Sequence, residues 1–181
     1  DPAKMPPPLW HPGEPDRWPE RLRKKHFARD GEHHEAIGMS DLTDAEWCRA
    51  KAYYYGMITH IDRQVGLLRE TLRAHGLADN TLIVFTSDHG ELIGDHHLMF
   101  KGTHHECVTN VPCLVTPPAT APAPSVRAAL AQSTDLMPTL LEFAGVPVPP
   151  SVQGNALQPL LADAAATLHR EVFVETVGEC Y

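Results

Sequence analysis

The neighbouring residues Asp88 and His89, followed at once by Gly90 and Glu91, bring a carboxylate oxygen and an imidazole nitrogen side by side. That mixed donor pair can hold a divalent cation when other carboxylates complete the shell. Two adjacent ligands are not a whole site. The bland alternative is an Asp that caps the next turn beside a surface His. Lys101 lies 13 residues beyond Asp88, between Phe100 and Gly102, where an ammonium would reach a substrate anion next to the metal. His96, His97, His104 and His105 crowd the same stretch. Their spacing offers no H-x-H or H-x-x-x-H pair, so they read as exposed loop histidines rather than a second metal site.

These groups need elements to aim them. Thr81 to Thr86 is continuously apolar and β-branched in its middle, which predicts a strand buried on both faces of a parallel sheet. Ligand sites in open α/β sheets lie beyond the carboxyl ends of the strands, and Ser87-Asp88-His89 sits at that exit. Before the strand, Thr43-x-x-Glu46 has the form of a capping box. Trp47, Tyr54, Ile58, Ile61, Val65, Leu68 and Leu72 then recur at helical spacing until Gly76, predicting one long amphipathic helix. Further strands are expected at 112–116 and 171–175, with a capped helix between them over 134–145. In residues 1–43 the prolines Pro6, Pro7, Pro8, Pro12, Pro15 and Pro19 block regular structure. This segment is expected to be irregular and stiff, wrapping a larger body, with one helical turn near Arg21–His26. The expected division is therefore an irregular part, 1–43, and an α/β portion, 44–181.

Composition excludes several classes. The chain has 181 residues, 43% of them hydrophobic and 21% charged, so it can bury a core. Its net charge of −8 gives nucleic acid no electrostatic footing. No apolar run is long enough for a membrane span. Cys48, Cys107, Cys113 and Cys180 lack C-x-x-C spacing and read as ordinary thiols. With no N-x-S/T acceptor and no cysteine framework, the expected compartment leans to the cytoplasm. Both ends read as cut from something longer.

Taken in order, Tyr53-Tyr54, Ile58-Thr59-His60-Ile61-Asp62, Gly76-Leu77-Ala78-Asp79-Asn80-Thr81, Ser87-Asp88-His89-Gly90, Lys101, Glu106, Val111-Pro112, Asp135-Leu136-Met137-Pro138-Thr139, Ala144-Gly145-Val146-Pro147 and Gln153-Gly154 form a pattern. It resembles the sulfatase family of the alkaline phosphatase superfamily, from about Tyr53 to Glu175. The resemblance implies an α/β fold, part of an alkaline-phosphatase-like, largely parallel sheet flanked by helices. It also implies a metal-dependent hydrolase of sulfate esters, with a minority of relatives acting on phosphate or phosphonate esters. Asp88 and His89 would be metal ligands, usually for calcium and sometimes manganese, and Lys101 would contact the small anionic ester substrate. The family nucleophile, a Ser or a Cys oxidised to formylglycine in C-x-P-x-R or S-x-P-x-R, has no counterpart here, and Asn110 stands where relatives often carry Arg. The chain is thus expected to be a C-terminal portion, inactive alone, with any formylglycine in the missing half. A non-catalytic module that kept the fold is the alternative from another class.

Overall fold

The computed structural model describes residues 1–27, 36–38, 42–118 and 125–175. In chain order they form helix α1 (Glu20–Phe27), strand β1 (Ala36–Gly38), helix α2 (Asp44–Ala74), strands β2 (Ile83–Thr86) and β3 (Leu98–Phe100), the short helix α3 (Glu106–Thr109), strand β4 (Cys113–Thr116) and helices α4 (Leu136–Phe143) and α5 (Gln158–Ala162). Strand β1 pairs antiparallel with β3, with Ile37 opposite Met99, and β2 pairs with β4. The chain divides into two compact units. One holds Asp1–Leu77 and His89–Cys113, and the other holds Ala78–Asp88 and Leu114–Tyr181.

In the first unit, α2 begins where the capping box predicts. The Thr43 hydroxyl accepts from the Glu46 N–H, while the Glu46 carboxylate accepts from the Thr43 N–H at 2.8 Å. The Thr43 N–H first, and the Thr43 hydroxyl donating to the same carboxylate at 2.8 Å second, hold the Glu46 carboxyl below its usual range. The helix ends in a Schellman motif: Leu77 N–H donates to Leu72 and Gly76 N–H to Arg73. That closure needs the left-handed φ of +66° at Gly76, which a glycine adopts without a Cβ clash. Trp47 on α2 is buried, and a core of Leu92, Leu98 and Val108 gathers Trp18, Leu22 and Cys107.

The Pro-rich N-terminal stretch is tied to α2 and to the loop around Asp95. Lys51 of α2 is buried and donates to the Pro7 carbonyl at 3.3 Å and to Asp95 at 2.9 Å. Asp95 also accepts from Leu9 N–H, and Leu9 in turn accepts from His96 N–H. Prolines leave carbonyls without competing donors of their own, so a buried ammonium is well placed to satisfy one. The turn predicted near Arg21–His26 is α1. Strand β1 lies in a stretch without a strand-like pattern and forms only by pairing with β3.

The second unit is organised around Asp135, which is fully buried. Its carboxylate accepts from the backbone N–H groups of Gln132 and Asn155 and pairs with His169 Nε2, each at 2.9 Å. Thr139 on α4 continues the network, donating to the Asp135 carbonyl and accepting from Leu157 N–H. The helix predicted over 134–145 is a 3-10 turn at Ser133–Asp135 leading into α4, with Pro138 in the first turn.

Two expectations are corrected. Residues 171–175 are described and carry no strand, because a strand is defined by a hydrogen-bonded neighbour and no described strand pairs there. Strands β2 and β4 are not buried on both faces either: Phe85 is 38% and Leu114 56% exposed. A sheet of only two strands has too few neighbours to cover them.

Candidate active site

Strand β2 delivers the chain to Ser87, Asp88 and His89, as its sequence predicts. Asp88 is exposed and accepts from the Ser87 hydroxyl at 3.4 Å. Asp88 closes the second unit and His89, half-buried, resumes the first. Within the first unit, Lys101 comes back from the end of β3 to place its ammonium 2.7 Å from His89 Nε2. Of the three residues singled out from the sequence, His89 and Lys101 are thus brought together.

The imidazole has a defined tautomer. His89 Nδ1 lies 2.8 Å from the Gly90 carbonyl, an acceptor only, so Nδ1 carries the proton and Nε2 presents its lone pair to Lys101. A ligating His characteristically donates its other ring N–H to a carbonyl in this way. Within the first unit, a His89 ring bonded through Nδ1 keeps Nε2 as a donor of the kind a divalent cation takes.

Backbone geometry fixes this arrangement. Gly90 N–H donates to Val108 and Glu91 N–H to Cys107, pulling the segment after His89 onto α3. A Cβ at Gly90 would lie 1.9 Å from the Cys107 carbonyl oxygen, so only glycine permits the approach. Burial, with Asp95 and other acidic charges adding to it, pushes the Cys107 thiol up, which keeps it protonated and unreactive. Asn110, where an Arg is frequent in the resembled family, donates to Glu106 at 3.0 Å.

The histidines depart from their reading as exposed loop residues. His96, His97, His104 and His105 are all half-buried. Rings of His96 and His105 stack at 4.0 Å, His97 stacks on Trp10 at 4.1 Å, and Trp18 meets both His96 and His105 edge-on. Non-glycine residues Ile93, His96, His97 and Phe100 take left-handed φ angles of 45°, 60°, 52° and 67°. Glu14 joins this group through His96. It lies in the Pro-rich segment, where nothing local marks it as a partner.

Comparison with known proteins bears on this geometry. The family profile described as Sulfatase matches residues 10–146. The chain belongs to the sulfatase family. Members of that family are divalent-metal-dependent, and its fold is the α/β fold of the alkaline phosphatase superfamily. This sulfatase chain is 39% identical over 122 residues to an arylsulfatase of Clostridium perfringens, covering 66% of the chain and 25% of that protein. Its fold matches a phosphonate monoester hydrolase of Silicibacter pomeroyi with a TM-score of 0.77 and 34% identity, over 89% of this chain and 32% of that one. A structure of another protein, in complex with its substrate D-glucosamine-2-N,6-O-disulfate, matches with a TM-score of 0.58 and 34% identity, over 62% and 23%. The sulfatase chain thus spans about a quarter of the length of the curated relatives it matches.

Proposed function

We propose that this chain is part of a sulfuric ester hydrolase and supplies Asp88 and His89 to its metal and Lys101 to its anionic substrate. The observation that carries this reading is the placement of the His89 ring, with Nδ1 2.8 Å from the Gly90 carbonyl and Nε2 2.7 Å from the Lys101 ammonium. A divalent ion there, Ca²⁺ or alternatively Mn²⁺, would neutralise charge developing on the sulfuryl oxygens.

The chain's own residues do the rest of the positioning. Gly90 lets the backbone fold against α3, so the imidazole reaches the site already oriented and loses little freedom on binding. Lys101, exposed and just past the end of β3, holds its ammonium at the Nε2 lone pair that a bound cation would use. With a cation on His89, the Lys101 ammonium would be available to hold an ester oxygen or steady the leaving group. The nucleophile, a formylglycine or Ser, belongs to sequence outside these 181 residues, so the chain alone turns over no ester.

Full-length protein and the 181-residue chain assayed together on an aryl sulfate test the reading. Turnover by the long form alone is expected, and comparable turnover by the short one refutes it. Asp88→Asn in the full-length protein separates this from a non-catalytic module, for which the rate would not change. A phosphonate-ester substrate is the second reading, favoured by the 89% coverage against the Silicibacter hydrolase. Aryl sulfate and aryl phosphonate esters compared on one preparation distinguish the two.

A further inference from the structure

A second cluster lies wholly within the first unit. Glu14, His96 and His105 each offer one ligand atom, and these atoms lie within 4.8 Å of one another. His96 Nδ1 stands 2.5 Å from Glu14 Oε1, and the side chains of His96 and Glu14 are only 14% and 17% exposed. The His105 ring has its Nδ1 2.9 Å from the hydroxyl of Thr103, a buried residue. That contact engages one ring nitrogen and leaves Nε2 for a ligand. Trp18 walls both imidazoles from one side.

We propose that Glu14, His96 and His105 form a second metal site, for a borderline transition ion of the Zn²⁺ type. Two imidazoles and one carboxylate are the donors such an ion selects, whereas calcium takes oxygen ligands almost exclusively. With metal–nitrogen bonds of ~2.1 Å, tetrahedral ligand atoms stand ~3.4 Å apart, against 4.8 Å or less here, and because the two imidazoles stack at 4.0 Å, ligation also turns the rings so that their nitrogens converge on the ion. The ion would take the place of the Glu14–His96 hydrogen bond, any proton there passing to solvent, with water in the fourth position. Thr103 holds the His105 ring in orientation, the part that outer-shell partners play at metal centres. Burial, reinforced by His96, favours the uncharged His105 imidazole that a metal requires. The site is a clamp: it fastens the Pro-rich segment to the loop after His89, across 82 residues of sequence between Glu14 and His96. Closing so long a loop in the folded state alone stabilises the fold.

The 181-residue chain, stripped with chelator and titrated with Zn²⁺, tests this directly. Binding of one equivalent is expected, unchanged by Asp88→Asn with His89→Gln, and weakened about 10-fold or more by Glu14→Gln, His105→Gln or Thr103→Val. Equal affinity in the Glu14→Gln/His105→Gln variant with a native far-ultraviolet spectrum overturns it. So does loss of the equivalent on changing Asp88 and His89 alone. Co²⁺ added to the unsubstituted chain needs no variant: an intense tetrahedral visible spectrum supports the site, and the faint octahedral one overturns it.

Discussion

At the scale of single residues, Lys101 occupies the place on His89 that a metal cation would take. An ammonium held there, which a bound metal would displace, links the two proposed roles. In the full-length protein, Lys101→Ala should lower kcat for aryl sulfate by about 10²–10³, as loss of one preorganised donor does. Steady-state kinetics with saturating metal checks this, and an unchanged kcat would remove Lys101 from the site. Tyr54 makes a separate prediction. Burial, with the Glu91 charge second, raises its phenol above the ordinary value of 10. The folded state then keeps its proton where the unfolded state has lost it. This contribution to stability is full below pH 10 and falls as pH rises through the folded pKa. Denaturant titrations around and above pH 10 should show a decline that Tyr54→Phe flattens. Asp88, His89 and Lys101 could be proposed from the sequence because residue type, a strand exit and the ordered motifs of the resembled family single them out. Glu14 could not, since nothing nearby hints at a partner 82 residues on.

The elements follow their local chemistry closely where that chemistry is strong. Helix α2 runs from its capping box to Gly76 as read, because cap, period and stop are all local. Thr43→Ala should cost about 1 kcal/mol in denaturant melts, with an unchanged slope. Helix α4 depends instead on Asp135, whose carboxylate satisfies two backbone N–H groups and His169. Asp135→Ala would strand all three inside the second unit and should cost about 3–5 kcal/mol, readable by chemical denaturation; a loss under 1 kcal/mol would show the network to be dispensable. Strands were less legible. An apolar run states a preference for extended chain, but β1 formed in a run without that preference and 171–175 stayed unpaired despite it. Pairing is a property of two segments, and a sequence window contains one.

For the whole molecule, the apolar stripe of α2 is the informative feature. Trp47 is 1% exposed, while Ile58, Ile61 and Leu68 further along are 47%, 50% and 66% exposed. The 181-residue chain therefore carries an uncovered hydrophobic face and should self-associate and bind a hydrophobic dye. Ile58→Glu with Leu68→Glu should reduce both, as light scattering and dye fluorescence would show. By itself the sequence determined the long helix, its two ends, the strand that aims Asp88 and His89, and the family. Each of these rests on periodicity, caps and ordered motifs that span a few turns of chain. Only the tertiary structure decided which histidines are sheltered, that Glu14 meets His96, that Lys51 anchors the Pro-rich segment through Pro7 and Asp95, and which strands find partners. Those outcomes depend on groups far apart along the chain, whose meeting is set by how whole elements pack rather than by spacing.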